Sequence, residues 1–160
     1  MYSEERIKEK AINESGIDTD WFLMDSNGKI AVVASAGGLL PDSVSSDMER
    51  LKRMIEYFRS LPILSDDIII DERVLKLIDS YNGKQKDAYL KDLYFMASRG
   101  LYYFDKMILN DYSDFRYYLK AKPIKPLVIG KNINSKDVLP LTTIDRDMEN
   151  INQFMVNEIL

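Results

Sequence analysis

Trp21-Phe22-Leu23-Met24-Asp25-Ser26-Asn27-Gly28-Lys29-Ile30-Ala31-Val32-Val33-Ala34 is the stretch on which the fold class turns. Two apolar runs, the second rich in β-branched residues, flank an Asn-Gly pair. Both turn residues tolerate positive φ, so the pattern predicts a β-hairpin. Strict alternation would put Trp21, Leu23, Ile30 and Val32 on one face, and Ala34 with them if the turn leaves the register undisturbed. Trp21 is expected on a buried face against one of the helices.

On the N-terminal side, residues 3–15 read as a short helix with Ile7, Ala11 and Ile12 on one face, stopped at Gly16. On the C-terminal side, Gly37-Gly38 and Pro41 break the second strand. Ser46 with Glu49 matches a capping box. Met48, Leu51, Ile55 and Phe58 follow at helical spacing, and the helix ends before Pro62. Ile68-Ile69-Ile70 suits a short strand, and residues 72–78 suit a helical turn or two. Residues 79–83 read as a loop. A further helix is expected from about Gln85 to Ser98, with Gly100 at its exit.

Strands return with Leu101-Tyr102-Tyr103-Phe104-Asp105 and Phe115-Arg116-Tyr117-Tyr118-Leu119-Lys120-Ala121. The turn-like residues 110–114 between them predict a second hairpin. Pro123 and Pro126 end that strand or confine it to a sheet edge. Leu127-Val128-Ile129 suits one more short strand. From Asp145 onward, Met148, Ile151, Phe154, Met155 and Ile159 recur at helical spacing. The alternative is a strand near residues 141–144 and a shorter helix. The whole reads as one α+β domain over residues 1–160, an antiparallel sheet of hairpins packed against several helices.

A chain of 160 residues, 46% hydrophobic and 30% charged, is of ordinary globular composition and buries a sizeable core without staples. It has no Cys, which removes disulfides, thiolate zinc sites and cysteine nucleophiles. It has no His, which removes the commonest general base near neutral pH. Catalysis would have to use Asp, Glu, Lys, Tyr, Ser or Thr, so a non-enzymatic role is expected. The net charge of −4 disfavours general binding to nucleic acid or anionic membranes. The polar first residues lack the pattern of a signal peptide, and no apolar run has the length of a membrane span. A cytoplasmic location is the expectation.

The motifs that could carry chemistry are sparse. Asp25 to Gly28 has the start of a calcium loop, but Ala36 stands where the closing acid is required. Gly37-Gly38 lacks the Lys and Ser/Thr of a phosphate loop. Ser35 has neither the frame of a nucleophilic serine nor a His to act as base. Asp66-Asp67 and Asp71-Glu72 bracket an apolar triplet. Paired acids can do acid–base work or hold a metal, but they are more often solvated at the ends of an element. No cofactor and no metal site are expected.

The tyrosines are more informative. Tyr89, Tyr94, Tyr102, Tyr103, Tyr112, Tyr117 and Tyr118 fall within 30 residues of chain from 89 to 118. Adjacent residues of a strand point to opposite faces, so one of Tyr102 and Tyr103, and one of Tyr117 and Tyr118, is expected to face outward. Outward tyrosines near Asp111, Asp114 and Arg116 have the composition of a protein-binding surface. The candidate partner-binding set is Tyr102, Tyr103, Asp111, Tyr112, Asp114, Tyr117 and Tyr118. Cross-strand aromatic pairing within the sheet is the structural alternative, and the two can coexist.

Residues 21–31, with Gly37-Gly38, Leu40-Pro41, Gly100 to Asp105 and Tyr117 to Pro123, resemble segments of small bacterial α+β proteins. These in turn are similar to the immunity proteins of polymorphic-toxin systems, including the broad SUKH-like class. The resemblance spans most of the chain and carries no catalytic residues. It implies a domain that neutralises a toxin by binding it. An acidic chain would suit a basic partner such as a nuclease toxin domain. The second function class is a small-ligand binder, or an enzyme that works through carboxylates and tyrosines without His or Cys.

Overall fold

The computed structural model describes residues 18–106, 114–134, 136, 138 and 140–159. The expected helix over 3–15 and the turn residues 110–113 lie outside them. The strands are β1 (Asp20–Met24), β2 (Ile30–Ala34), β3 (Ile68–Ile70), β4 (Tyr102–Asp105), β5 (Arg116–Pro123), β6 (Thr142–Thr143) and β7 (Gln153–Met155). The helices are α1 (Asp42–Ser45), α2 (Met48–Arg59), α3 (Glu72–Ile78) and α4 (Gly83–Ser98). This is an α+β fold. Among the described residues no helix is long and apolar enough to cross a membrane.

The strands form one seven-stranded sheet in the order β3-β5-β4-β2-β1-β6, with β7 on the same side of β5 as β3. It is mostly antiparallel, but β2–β4 and β1–β6 are parallel pairs. The expected α+β domain, a mostly antiparallel sheet packed against several helices, is what forms, and two parallel pairs are added to it. Between β2 and β4 the chain passes through α1, α2, β3, α3 and α4, and so large a crossover lets the next strand run parallel.

The first hairpin forms, but its register differs from strict alternation. The Asp25 amide donates to the Lys29 carbonyl at 2.9 Å, which leaves residues 26–28 in the turn. Odd residues then pair with odd ones: Trp21 with Val33 and Leu23 with Ala31, while Phe22 pairs with Val32. Ile30 and Val32 therefore share the face of Phe22, not that of Trp21. Phe22 meets Phe58 of α2 with ring centroids 4.4 Å apart. Trp21, expected against a helix, instead makes edge contacts with Tyr117 at 6.1 Å and Phe154 at 6.3 Å.

The sheet is thus covered on both faces. The α2 and α4 helices pack on one, α2 against β1 and α4 against β4 and β5. The C-terminal segment supplies Phe154 to the other. That segment is not the expected helix. It takes a short 3-10 turn at Met148–Asn150, then β7, then a second 3-10 turn at Val156–Ile159. Apolar spacing alone allowed a helix, but the outer edge of β5 offers a ladder to β7. The two pair from Arg116–Met155 to Tyr118–Gln153.

Two helix starts also differ from expectation. The α2 cap is Asp47, whose side chain accepts from the Arg50 amide at 2.9 Å, in place of Ser46. The α4 helix starts at Gly83, where Asn82 and Gln85 form a full capping box. At the exit of α4, Gly100 has φ +94°, and a Cβ there would lie 2.5 Å from the Leu127 amide nitrogen.

Candidate partner-binding site

The seven residues singled out by sequence divide sharply. Asp111 and Tyr112 lie outside the described residues. Tyr102 is fully buried, and Tyr103 and Tyr117 are buried too. The expectation that one of each tyrosine pair faces outward is therefore corrected for Tyr102 and Tyr103. Alternation holds, but each face of this strand is covered, so both directions lead into packed interior. The Tyr102 hydroxyl donates to the Glu149 carboxylate on the tail side. Tyr103 lies near Tyr89 and Asp92 of the helix side, and burial pushes its hydroxyl well above the usual tyrosine range. Tyr117 stacks on Phe154 with centroids 5.4 Å apart. Asp114, expected beside an exposed tyrosine surface, is itself buried.

Tyr118 is the one described tyrosine of the set that stays only partly buried. Three cations surround its ring: the Arg73 guanidinium carbon at 5.3 Å from the centroid, that of Arg116 at 5.6 Å, and the Lys120 Nζ at 5.7 Å. Such distances are within reach of the attraction between a cation and an aromatic face.

Both arginines are held by the same local device. Asp71 Oδ1 accepts from the Arg73 backbone amide at 2.9 Å and from its Nε at 2.8 Å, and Oδ2 accepts from Nη2 at 3.3 Å. Asp114 Oδ1 accepts from the Arg116 amide at 3.2 Å and from its Nε at 2.8 Å, and Oδ2 from Nη2 at 3.3 Å. Each is a fork-to-fork pair closed over a two-residue step. The Arg116 bonds hold the Asp114 carboxyl below the usual range. For Asp71, burial pulls upward, but the hydrogen bonds and charge of Arg73 outweigh it and the net shift is downward. The arginine side chains stay 40% and 44% exposed, so both clasps present their outer surface to solvent.

These clasps come from distant parts of the chain. Asp71-Glu72-Arg73 leaves β3 and caps α3, while Asp114-Phe115-Arg116 leads into β5. Pairing of β3 and β7 along one side of β5 brings them to opposite sides of Tyr118. Sequence reasoning missed Asp71, Arg73, Arg116 and Lys120 as one group. The available signal was the repeated Asp-X-Arg spacing, at 71–73 and at 114–116.

The half-buried Asp105 of β4 pairs in register with Tyr118, and Lys120 follows two residues on. Tyr103 pairs with Ala121 and Phe104 with Leu119, so Lys120 is the extra residue of a β-bulge. Lys120 is buried there, 2% exposed. Burial lowers its pKa, against the pull of Asp105. Burial likewise raises Asp105 to about 6, against the Lys106 amide and Lys120. An open depression of about 310 Å³ adjoins the site, lined by Asp71, Glu72, Arg73 and Asn152.

Asp25 has a different task from the calcium ligand that its loop suggests. It is buried, and its carboxylate accepts from the amides of Asn27, Lys29 and Met148, each at 2.8 Å. The carboxylate is thus committed to the turn and the tail. Among the described residues no group of three or more acidic side chains is placed to hold a metal ion.

No protein-family model matches the chain, and neither a curated protein nor a solved structure matches it.

Proposed function

We propose that the protein is a non-enzymatic binding domain that engages another protein through the surface around Tyr118, Arg73 and Arg116. The observation that supports this reading is the pair of Asp–Arg clasps on either side of a partly exposed tyrosine. Tyrosine and arginine are enriched among the residues that dominate interface energetics. Arginine ordinarily loses rotamer freedom when it is immobilised in an interface. Here the clasps hold both guanidinium groups before a partner arrives. The surface is shallow and open, which suits a protein partner better than a small molecule.

Within this class, the resemblance to immunity proteins favours a specific role: neutralising a bacterial toxin by direct binding. The net charge of −4 fits a basic toxin domain. One observation supports a second reading, a small-ligand site or an enzyme without His or Cys. It is the buried Lys120 in its bulge beside Asp105, because a bulge beside perturbed ionisable groups is a recurring feature of active sites.

The test uses the full chain as bait in a lysate of its source cells, beside a Tyr118→Ala bait of equal melting temperature. The reading expects a protein that the parent retains and the variant loses. Equal retention by both baits contradicts it. A turnover assay in which activity is abolished by Lys120→Met would favour the second reading.

A further inference from the structure

Among the described residues no strand pairs with the outer side of β3, which is an open sheet edge. Ile68, Ile69 and Ile70 pair with Pro123, Lys122 and Ala121 of β5, and β3 ends the strand order. The Asp71 amide donates to the Lys120 carbonyl at 2.9 Å. Antiparallel ladders alternate, so the amide and carbonyl of Ile69 also face β5. Those of Ile68 and Ile70 then point away from the sheet. Ile69 is 45% exposed, and Ile124, which follows the partner of Ile68, is 48% exposed. Backbone groups and apolar side chains thus stand ready for one more strand.

Charge selects the occupant. The exposed acids Asp66 and Asp67 precede the strand, and the half-buried Asp71 and the exposed Glu72 follow it. A second copy of this chain, paired antiparallel about Ile69, would set Asp67 against Asp71 and Asp66 against Glu72. Like charges directly opposite destabilise a strand pair. An extended segment with basic residues at both ends and alternating apolar residues between them would meet Asp66 and Asp67 at one end and Glu72 at the other, while Asp71 stays clasped to Arg73. We infer that the β3 edge takes up such a segment of a protein partner as an added strand, an inference that rests on the protein-binding reading and gives it a mode.

The experiment titrates the full chain into a dye-labelled peptide of alternating valine and threonine with a pair of lysines at each end. Fluorescence anisotropy reads the binding. Saturable binding is expected, weakened by roughly tenfold or more when glutamates replace the lysines. A similar loss is expected when the peptide amides on the pairing edge are N-methylated, because the ladder needs those donors. On the protein, Ile68→Pro removes one outward amide at the first residue of an edge strand, a position that tolerates proline. It should weaken binding by a comparable factor, with the melting temperature checked alongside. Should that variant fail to fold, the N-methylated peptide still decides.

No saturable binding overturns the inference, as does binding indifferent to N-methylation or to the charge swap. A concentration-dependent dimer that Ile68→Pro dissociates would assign the edge to a second copy and overturn it too. If the peptide fails while a captured cellular partner still depends on Tyr118, the edge inference falls alone. If the peptide binds as expected but no captured protein depends on Tyr118, the Tyr118 reading falls and the edge stands.

Discussion

Removing the Asp25 carboxylate is predicted to disconnect the first hairpin from the C-terminal segment. Its two oxygens do separate work. Oδ1 accepts from the turn amides of Asn27 and Lys29, and Oδ2 accepts from the buried Met148 amide. A hydrogen bond to a charged group contributes about 1.5–3 kcal/mol, and a buried donor left without a partner costs about 1–3 kcal/mol. In Asp25→Ala the turn amides regain water, while the Met148 amide does not. The expected loss is about 3–5 kcal/mol, a large part of the ~5–15 kcal/mol that holds a domain of this kind together. Asp25→Asn should keep the Oδ1 role and turn an amide donor toward the Met148 N–H. It should lose roughly 2 kcal/mol, almost all of it from the link to the tail. Urea unfolding followed by fluorescence measures both, since the chain has a single Trp and Trp21 touches Phe154 of that tail. A cost below about 1 kcal/mol for Asp25→Ala would refute the assignment of this carboxylate as the organiser of turn and tail.

Gly100→Ala should cost roughly 2–5 kcal/mol in the same assay, from a strained positive φ and overpacking against Leu127; a neutral result would mean that this exit turn rearranges freely. Asp105 gives a pH prediction. Burial raises its folded pKa from 3.8 to about 6, so between these values the folded state binds more protons than the unfolded one. The contribution of Asp105 is then fully present below the lower value and is lost as pH rises through the upper one. Asp105→Asn should flatten the decline in stability across that window, measured by urea midpoints at a series of pH values; an unchanged slope would contradict this reading of the carboxyl.

Much of the fold was legible because its signals are local. The Asn-Gly hairpin, the α2 periodicity and the Ile68–Ile70 strand each depend on a few neighbouring residues. The hairpin register was not legible, because Asp25 pairs with Lys29 and so lengthens the turn by one residue, which exchanges the two faces. Nor was the tail. Met148, Ile151 and Phe154 satisfy helical spacing, but the side of β5 away from β4 and the rings of Trp21, Phe104 and Tyr117 that Phe154 packs against draw the segment into a strand. At the site, alternation placed Tyr102 and Tyr103 on opposite faces correctly, while whether each face is covered depends on elements far away in the chain. Tyr118 emerged from the same argument. Arg116 lies two residues away on the same strand and was legible with it, but Arg73 was not, since it reaches the ring only through the pairing of β3 with β5.

The central claim is that Tyr118 and its two clasped arginines form a protein-binding surface. The direct measurement is the affinity of a partner recovered from source cells for the parent chain and for Tyr118→Ala, with Arg73→Ala and Arg116→Ala beside it. Loss of an aromatic or arginine anchor typically costs ~2 kcal/mol or more at an interface, which is a weakening of about thirtyfold. That loss is predicted for Tyr118→Ala and for at least one of the arginine variants, carried mainly by faster dissociation. Affinities within a factor of about two of the parent for all three variants, each still folded, would contradict the claim.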